Sequence, residues 1–275
     1  MLSYKTFYAE TGKTHSGEAE RNQDPQAHLQ KDWVVFVHGA GGSSAVWFKQ
    51  IRAFQKEFNV LLVDLRGHGR SNAYHGDNPR YTVDALGMDI VHVLAKEGIE
   101  AAHFVGVSLG TILIRAVSDL APERVKSIIY AGAVVGFTTW ARVLIVAGQA
   151  LKYVVPFRKL YSTFAWIIMP GKKAQEARRV FKREAKRVAP EEFRRWLQLV
   201  PEVNRKLRFW MKETSPFRSL YLMGGKDYMF LPPARALVQR TPMSFLEVIP
   251  GVGHVCNIEK PDLFNDAAIA FLKGA

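Results

Sequence analysis

The 275-residue chain holds a single cysteine, Cys256, so it cannot close a disulfide on itself or assemble a thiolate metal site. Cys256 is expected to be a small buried packing residue. No apolar run comes near the roughly 20 residues that a bilayer-spanning helix needs. The first ten residues carry Lys5 and Glu10 with no apolar stretch behind them, so neither a signal peptide nor an anchor is expected, and a cytoplasmic location is. Internal repeats and low-complexity tracts are missing too. With 48% hydrophobic and 23% charged residues, the composition is that of a globular protein able to bury a substantial core. The glycines of His38-Gly39-Ala40-Gly41-Gly42 are not followed by Gly-Lys-Ser/Thr and do not have dinucleotide-fingerprint spacing, which argues against nucleotide binding.

Acidic residues are the scarcer charge, 25 against 38 Lys and Arg, for a net +13 and a pI near 9.8. Such an excess ordinarily raises nucleic acid as a partner. Its position says otherwise. Residues 137–212 hold 18 basic and 5 acidic residues, and the remainder of the chain is balanced at 20 of each. A neutral body around one basic segment does not make an extended nucleic-acid track, so no nucleic acid is expected; it marks the segment as a separate structural unit. Within it, Lys172 to Val188 places Ala177, Val180, Phe181, Ala185 and Val188 on one helical face, with Arg178, Arg179, Lys182, Arg183, Lys186 and Arg187 largely on the others. The simpler expectation is a solvated outer surface whose apolar side packs on the body. The sharper one is weak association with an anionic membrane surface.

Outside that segment, strand and helix patterns alternate. Trp33 to Val37 and Val60 to Val63 read as buried strands, and Ser44 to Glu57 between them as a helix capped by Ser43 or Ser44. Thr82 caps a predicted helix running to Lys96, and the strand Ala102 to Val107 follows. A further helix face, Leu109, Ile112, Leu113, Ala116, Val117 and Leu120, ends before Pro122. Strands are predicted at Val125 to Ala131, Ser219 to Met223 and Ser244 to Ile249, with helices near Pro233 to Val238 and at Pro261 to Leu272. Alternation of this kind implies an α/β architecture with a parallel sheet flanked by helices.

Three positions stand out chemically. Gly106-Val107-Ser108-Leu109-Gly110 is a G-x-S-x-G at a strand-to-helix junction, where glycines permit a tight turn that lifts the serine hydroxyl clear of the sheet. A serine hydroxyl needs a base to become a nucleophile, and the base needs an orienting carboxylate. Of the eight histidines, only His254 lies after Ser108, in the loop Pro250-Gly-Val-Gly-His254. His38, His68, His92 and His103 are expected to be loop or packing residues. Asp227, in Gly224-Gly225-Lys226-Asp227 after a strand, supplies the acid in Ser, Asp, His order. The backbone N–H groups of Ala40 and Leu109 are the candidate donors to an oxyanion.

With these residues in place, the sequence resembles the α/β-hydrolase superfamily along nearly its whole length. The match includes His38-Gly39, Asp64-Leu-Arg-Gly-His-Gly-Arg-Ser71, the Ser108 turn, Asp227 and Gly253-His254. Thr111 departs from the further glycine that many relatives carry there. The resemblance implies an eight-stranded, mostly parallel sheet, with core segments 1–136 and 213–275 and a helical cap, 137–212, inserted between strands six and seven. It also implies a serine hydrolase acting on a small-molecule carboxylic ester with no cofactor and no metal. A carbon–carbon bond or lactone hydrolase using the same triad, or a noncatalytic binding protein of this fold, are the alternatives.

Overall fold

The computed structural model describes residues 1–10, 31–74, 81–139, 143–144, 147–148, 150, 154–155, 157–171, 174–213 and 215–274. Seven strands form one sheet: β1 (Ser3–Phe7), β2 (Trp33–Val37), β3 (Asn59–Asp64), β4 (Ala102–Val107), β5 (Val125–Ala131), β6 (Ser219–Gly224) and β7 (Ser244–Ile249), in the spatial order β1-β3-β2-β4-β5-β6-β7. Only β1 is antiparallel, Ser3 lying opposite Asp64 and Phe7 opposite Val60. Every residue of β3 and β4 is buried, as expected of parallel strands covered on both faces.

The expected eight strands are thus seven among the described residues. At one edge of the sheet β1 pairs directly with β3. Residues 11–30, between β1 and β2, lie outside the described residues.

From β2 the chain moves to β3 on one side and then returns past β2 to β4 on the other. Right-handed crossovers therefore put the two connecting helices on opposite faces. On one face Phe36 packs against Trp47 and Phe54, both with ring centroids 4.9 Å away, and Trp47 reaches Phe264 of the C-terminal helix. On the other face α2 (Val83–Lys96) packs against α3 (Leu109–Leu120). Thr82 caps α2 as predicted, its Oγ1 accepting from the Ala85 N–H at 3.0 Å. Ser43 likewise caps the turn that follows it, although Ser44 to Glu57 divides into a 3₁₀ turn, Ser44–Trp47, and a short helix α1, Ile51–Gln55. The reversal of winding between β2 and β4 opens a crevice at their carboxyl ends, where ligands of such sheets bind.

Between β5 and β6 lie four described helices, α4 (Phe157–Ile168), α5 (Gln175–Ala185), α6 (Pro190–Gln198) and α7 (Val200–Trp210). This insertion is tied to the body by polar contacts. Trp196 Nε1 donates to the Arg66 carbonyl at 3.1 Å, Glu202 accepts from the Val83 N–H at 3.0 Å, and Lys206 meets Asp84 at 2.7 Å. Ala177, Val180, Ala185 and Val188 are buried, in agreement with the predicted apolar face. Arg178 is a correction. It is 7% exposed rather than on the solvated face, because its guanidinium donates to the Met169 and Gly171 carbonyls and lies 4.2 Å from the Trp166 ring.

Candidate active site

Ser108 sits between the last residue of β4 and the first of α3, at φ 54° and ψ −119°. Among the described residues it is the one non-glycine with positive φ. Such a backbone state is costly and persists only where its surroundings impose it. Here the imposition is close packing. A Cβ on Gly110 would stand 2.2 Å from the Val37 carbonyl oxygen, so only glycine lets α3 start this near to β2. Thr111 fastens the same turn from the other side, its Oγ1 accepting from the Val134 N–H at 3.1 Å. Leu109 opens the helix, so its N–H has no intrahelical acceptor.

Asp227 and His254 come together from two further loops at the same edge of the sheet. The 224–227 turn is held by Asp227 N–H on the Gly224 carbonyl at 3.0 Å and by Lys226 N–H on the Val252 carbonyl at 2.8 Å. His254 Nδ1 lies 2.7 Å from Asp227 Oδ2, and the other carboxylate oxygen accepts from the Phe230 N–H at 3.3 Å. Both residues are at most 2% exposed. In the uncharged ring, a proton on Nδ1 faces the carboxylate and leaves the lone pair on Nε2. Nε2 is buried and has no hydrogen-bond partner among the described residues. The Phe230 ring, 4.8 Å away, shields the imidazole on one face.

The third loop, 38–43, is shaped by two neutral histidines that were expected to be loop or packing residues. His38 Nε2 accepts from the Leu65 N–H at 3.0 Å, and its Nδ1–H donates to the Gly39 carbonyl. His68 Nε2 accepts from the Gly41 N–H at 2.9 Å, and its Nδ1–H donates to the Arg66 carbonyl. Accepting at one nitrogen requires the uncharged ring. Burial enforces it, holding His38 below its ordinary value and, together with the neighbouring His38, taking His68 down to about 3. Asp64 serves the same scaffold, with Oδ1 accepting from the Ser44 N–H at 2.6 Å and Oδ2 from the Arg70 N–H at 3.0 Å. Its two oxygens are committed to turns, which leaves Asp227 as the carboxylate on the imidazole.

Ser108, His254 and Ala40 line one cavity of about 30 Å³, whose other walls include Val46, Val107, Phe181, Val255 and Ile258 with Asn257. The structure therefore gathers Ser108, Asp227, His254 and the 38–42 loop at one point. Sequence reasoning did not find Asp64 and His68 as supports of that loop, nor two insertion residues that reach it, Tyr161 and Glu184. The Asp64 to Ser71 segment was visible as a motif, but its contact with the 38–43 loop depends on strand order.

Residues 34–267 match the profile of the Alpha/beta hydrolase family. A putative carbamate hydrolase of Caulobacter segnis is 27% identical over 266 residues, covering 89% of this chain and 92% of the relative. The 3-oxoadipate enol-lactonase 2 of Acinetobacter baylyi is 27% identical over 247 residues, with 87% and 88% covered. Among solved structures, a hydrolase from Pseudomonas aeruginosa superposes with a TM-score of 0.78 at 21% identity, covering 98% of this chain and 94% of that one.

Proposed function

The chain belongs to the Alpha/beta hydrolase family, and we propose that within it the protein cleaves a small-molecule carboxylic ester with an uncharged, apolar acyl or aromatic part, using Ser108, His254 and Asp227. The observation that carries this reading is the buried 2.7 Å contact between His254 Nδ1 and Asp227 Oδ2, in a site whose other wall is the strained Ser108 turn. The carboxylate holds the imidazole in the tautomer with a basic Nε2 and stabilises the imidazolium that forms when Nε2 takes the serine proton. Ser108 Oγ then adds to the acyl carbon, and the carbonyl oxygen gains charge beside the N–H groups of Ala40 and Leu109. Protonated His254 gives its proton to the leaving alcohol, the acyl group stays on Ser108, and water repeats the sequence to release the acid.

The lining supports the substrate class. Val46, Val107, Phe181, Val255 and Ile258 favour hydrocarbon over charge at the acyl position. The helical insertion, which supplies Ala177 and Phe181 to this cavity, acts as its cap.

Lactone hydrolysis with the same triad is the second reading, favoured by the likeness to an enol-lactonase over most of both chains. Turnover of p-nitrophenyl esters of increasing acyl length, with lactones and vinylogous diketones alongside and the Ser108→Ala protein as control, tests the proposal. Ester turnover that disappears in Ser108→Ala is the expected result. Wild-type turnover by Ser108→Ala, or cleavage of lactones alone, would refute the ester reading.

A further inference from the structure

Two buried side chains of the insertion reach across to the loop that carries Ala40. Tyr161, on α4, donates from its hydroxyl to the Ala40 carbonyl at 2.8 Å. Glu184, on α5, accepts from the Ser43 hydroxyl at 2.8 Å. Neither residue is loosely held. The Tyr161 ring stacks on Phe181 with centroids 4.4 Å apart and planes 9° from parallel, and Phe193 of α6 meets it edge-on. Glu184 is 2% exposed and fixed by Arg183 and Arg187, at 2.9 and 3.2 Å. The loop leaves little slack at this point. A Cβ on Gly41, at φ +66°, would stand 2.1 Å from the Tyr161 hydroxyl.

The same loop lies against the nucleophile, for a Cβ on Gly39 would come within 3.0 Å of the Ser108 Cβ. Residue 40 is therefore gripped between the Ser108 turn, the two core histidines and the insertion. The insertion also meets the histidine loop, where the His254 N–H donates to the Ile168 carbonyl at 3.3 Å. With α4 and α5 seated in this way, Ala177 and Phe181 of α5 line the cavity beside Ser108.

We propose that Tyr161 is a positioning residue that sets the Ala40 backbone for oxyanion stabilisation, so that seating of the insertion over the substrate completes the donor pair of Ala40 and Leu109. This rests on the triad reading above. Any displacement of α4 that parts the Tyr161 hydroxyl from the Ala40 carbonyl releases the loop. Reseating restores the donor where charge develops, an interaction made in the transition state and not needed to bind the ground state.

The test is Tyr161→Phe, which removes one oxygen and keeps the stack on Phe181. With a p-nitrophenyl ester, kcat is expected to fall about tenfold to a hundredfold, less than the roughly hundredfold to thousandfold cost of losing a whole oxyanion donor because the Ala40 N–H is displaced and not removed, with KM within about twofold of wild type. An alkyl boronic acid gives the reading that a merely structural role would not move. Ser108 Oγ adds to boron, its proton passes to His254, and a boronate oxygen occupies the oxyanion position. Its inhibition constant should rise by the same factor as kcat falls. Ser43→Ala breaks the second tie from the core side and should act in the same direction, so the outcome does not depend on one variant folding. Wild-type kcat and wild-type boronate affinity in a folded Tyr161→Phe protein would overturn the proposal while leaving the triad intact. Full activity in Ser108→Ala would instead remove the triad reading beneath it.

Discussion

Replacing Ser108 with glycine and, separately, with alanine separates backbone strain from chemistry at a single position. At φ 54° and ψ −119° the serine occupies a region that glycine enters freely and other residues enter at a cost of about 1–3 kcal/mol. Glycine relieves that cost in the folded state but adds freedom to the unfolded chain, which offsets about 0.5–1 kcal/mol of the gain. The net expectation for Ser108→Gly is a stabilisation of about 1 kcal/mol, or roughly 2–4 °C in Tm for a chain of this size. Alanine keeps the Cβ and hence the strain, so Ser108→Ala should stay within about 0.5 kcal/mol of wild type. Both variants should lose ester turnover by about a million-fold if Ser108 is the nucleophile. Urea denaturation followed by fluorescence and circular dichroism gives the two free energies, and p-nitrophenyl ester hydrolysis gives the rates. A glycine variant less stable than the alanine variant would show that the turn is not under strain. The idea that the fold holds the hydroxyl forward against a conformational cost would then be wrong.

Asp227→Asn should keep the turn but allow the imidazole its other tautomer, lowering kcat by about four orders of magnitude; near-wild-type turnover would move the orienting role elsewhere. His68 is neutral in the folded state down to about pH 3 but takes a proton in the unfolded chain below about pH 6.5, so stability should fall as the pH drops through that window, by about 1.4 kcal/mol per unit. In His68→Gln the urea-derived slope between pH 6 and 5 should be shallower by about that amount, and an unchanged slope would count against the neutral, buried imidazole. Arg178→Gln removes donors to the Met169 and Gly171 carbonyls, and a loss of about 2–3 kcal/mol is expected in thermal or urea melts. A loss below about 0.5 kcal/mol would return Arg178 to the solvated face that its sequence spacing implied.

Much of the core was legible because short-range patterns decide it. Strands at 102–107, 125–131 and 244–249 appear where apolar runs and turn residues place them, and Thr82 and Ser43 cap the segments they precede. That Ser108, Asp227 and His254 would lie close together was legible for a different reason. A parallel sheet delivers every strand's following loop to one edge, so chain order and loop position alone bring the three to a common site. The edge of the sheet was less legible, since whether a further strand precedes β2 turns on pairing and not on composition, and β1 takes its place directly beside β3.

What only the tertiary structure decided is what surrounds Ser108, Asp227 and His254. Helical periodicity marked Ala177, Val180 and Ala185 as a buried face, yet it could not distinguish Arg178 and Glu184 from their solvated neighbours. Each is buried because it meets a partner that no local spacing encodes, Arg178 the carbonyls of Met169 and Gly171 and Glu184 the hydroxyl of Ser43, 141 positions away. His38 and His68 look like ordinary loop residues until strand order sets the β2 and β3 loops side by side, where burial keeps both rings neutral and turns them into acceptors for backbone N–H groups. Local periodicity reports which face of an element is apolar. Polar groups are buried only where a partner arrives to satisfy them, and that partner is set by the path of the whole chain.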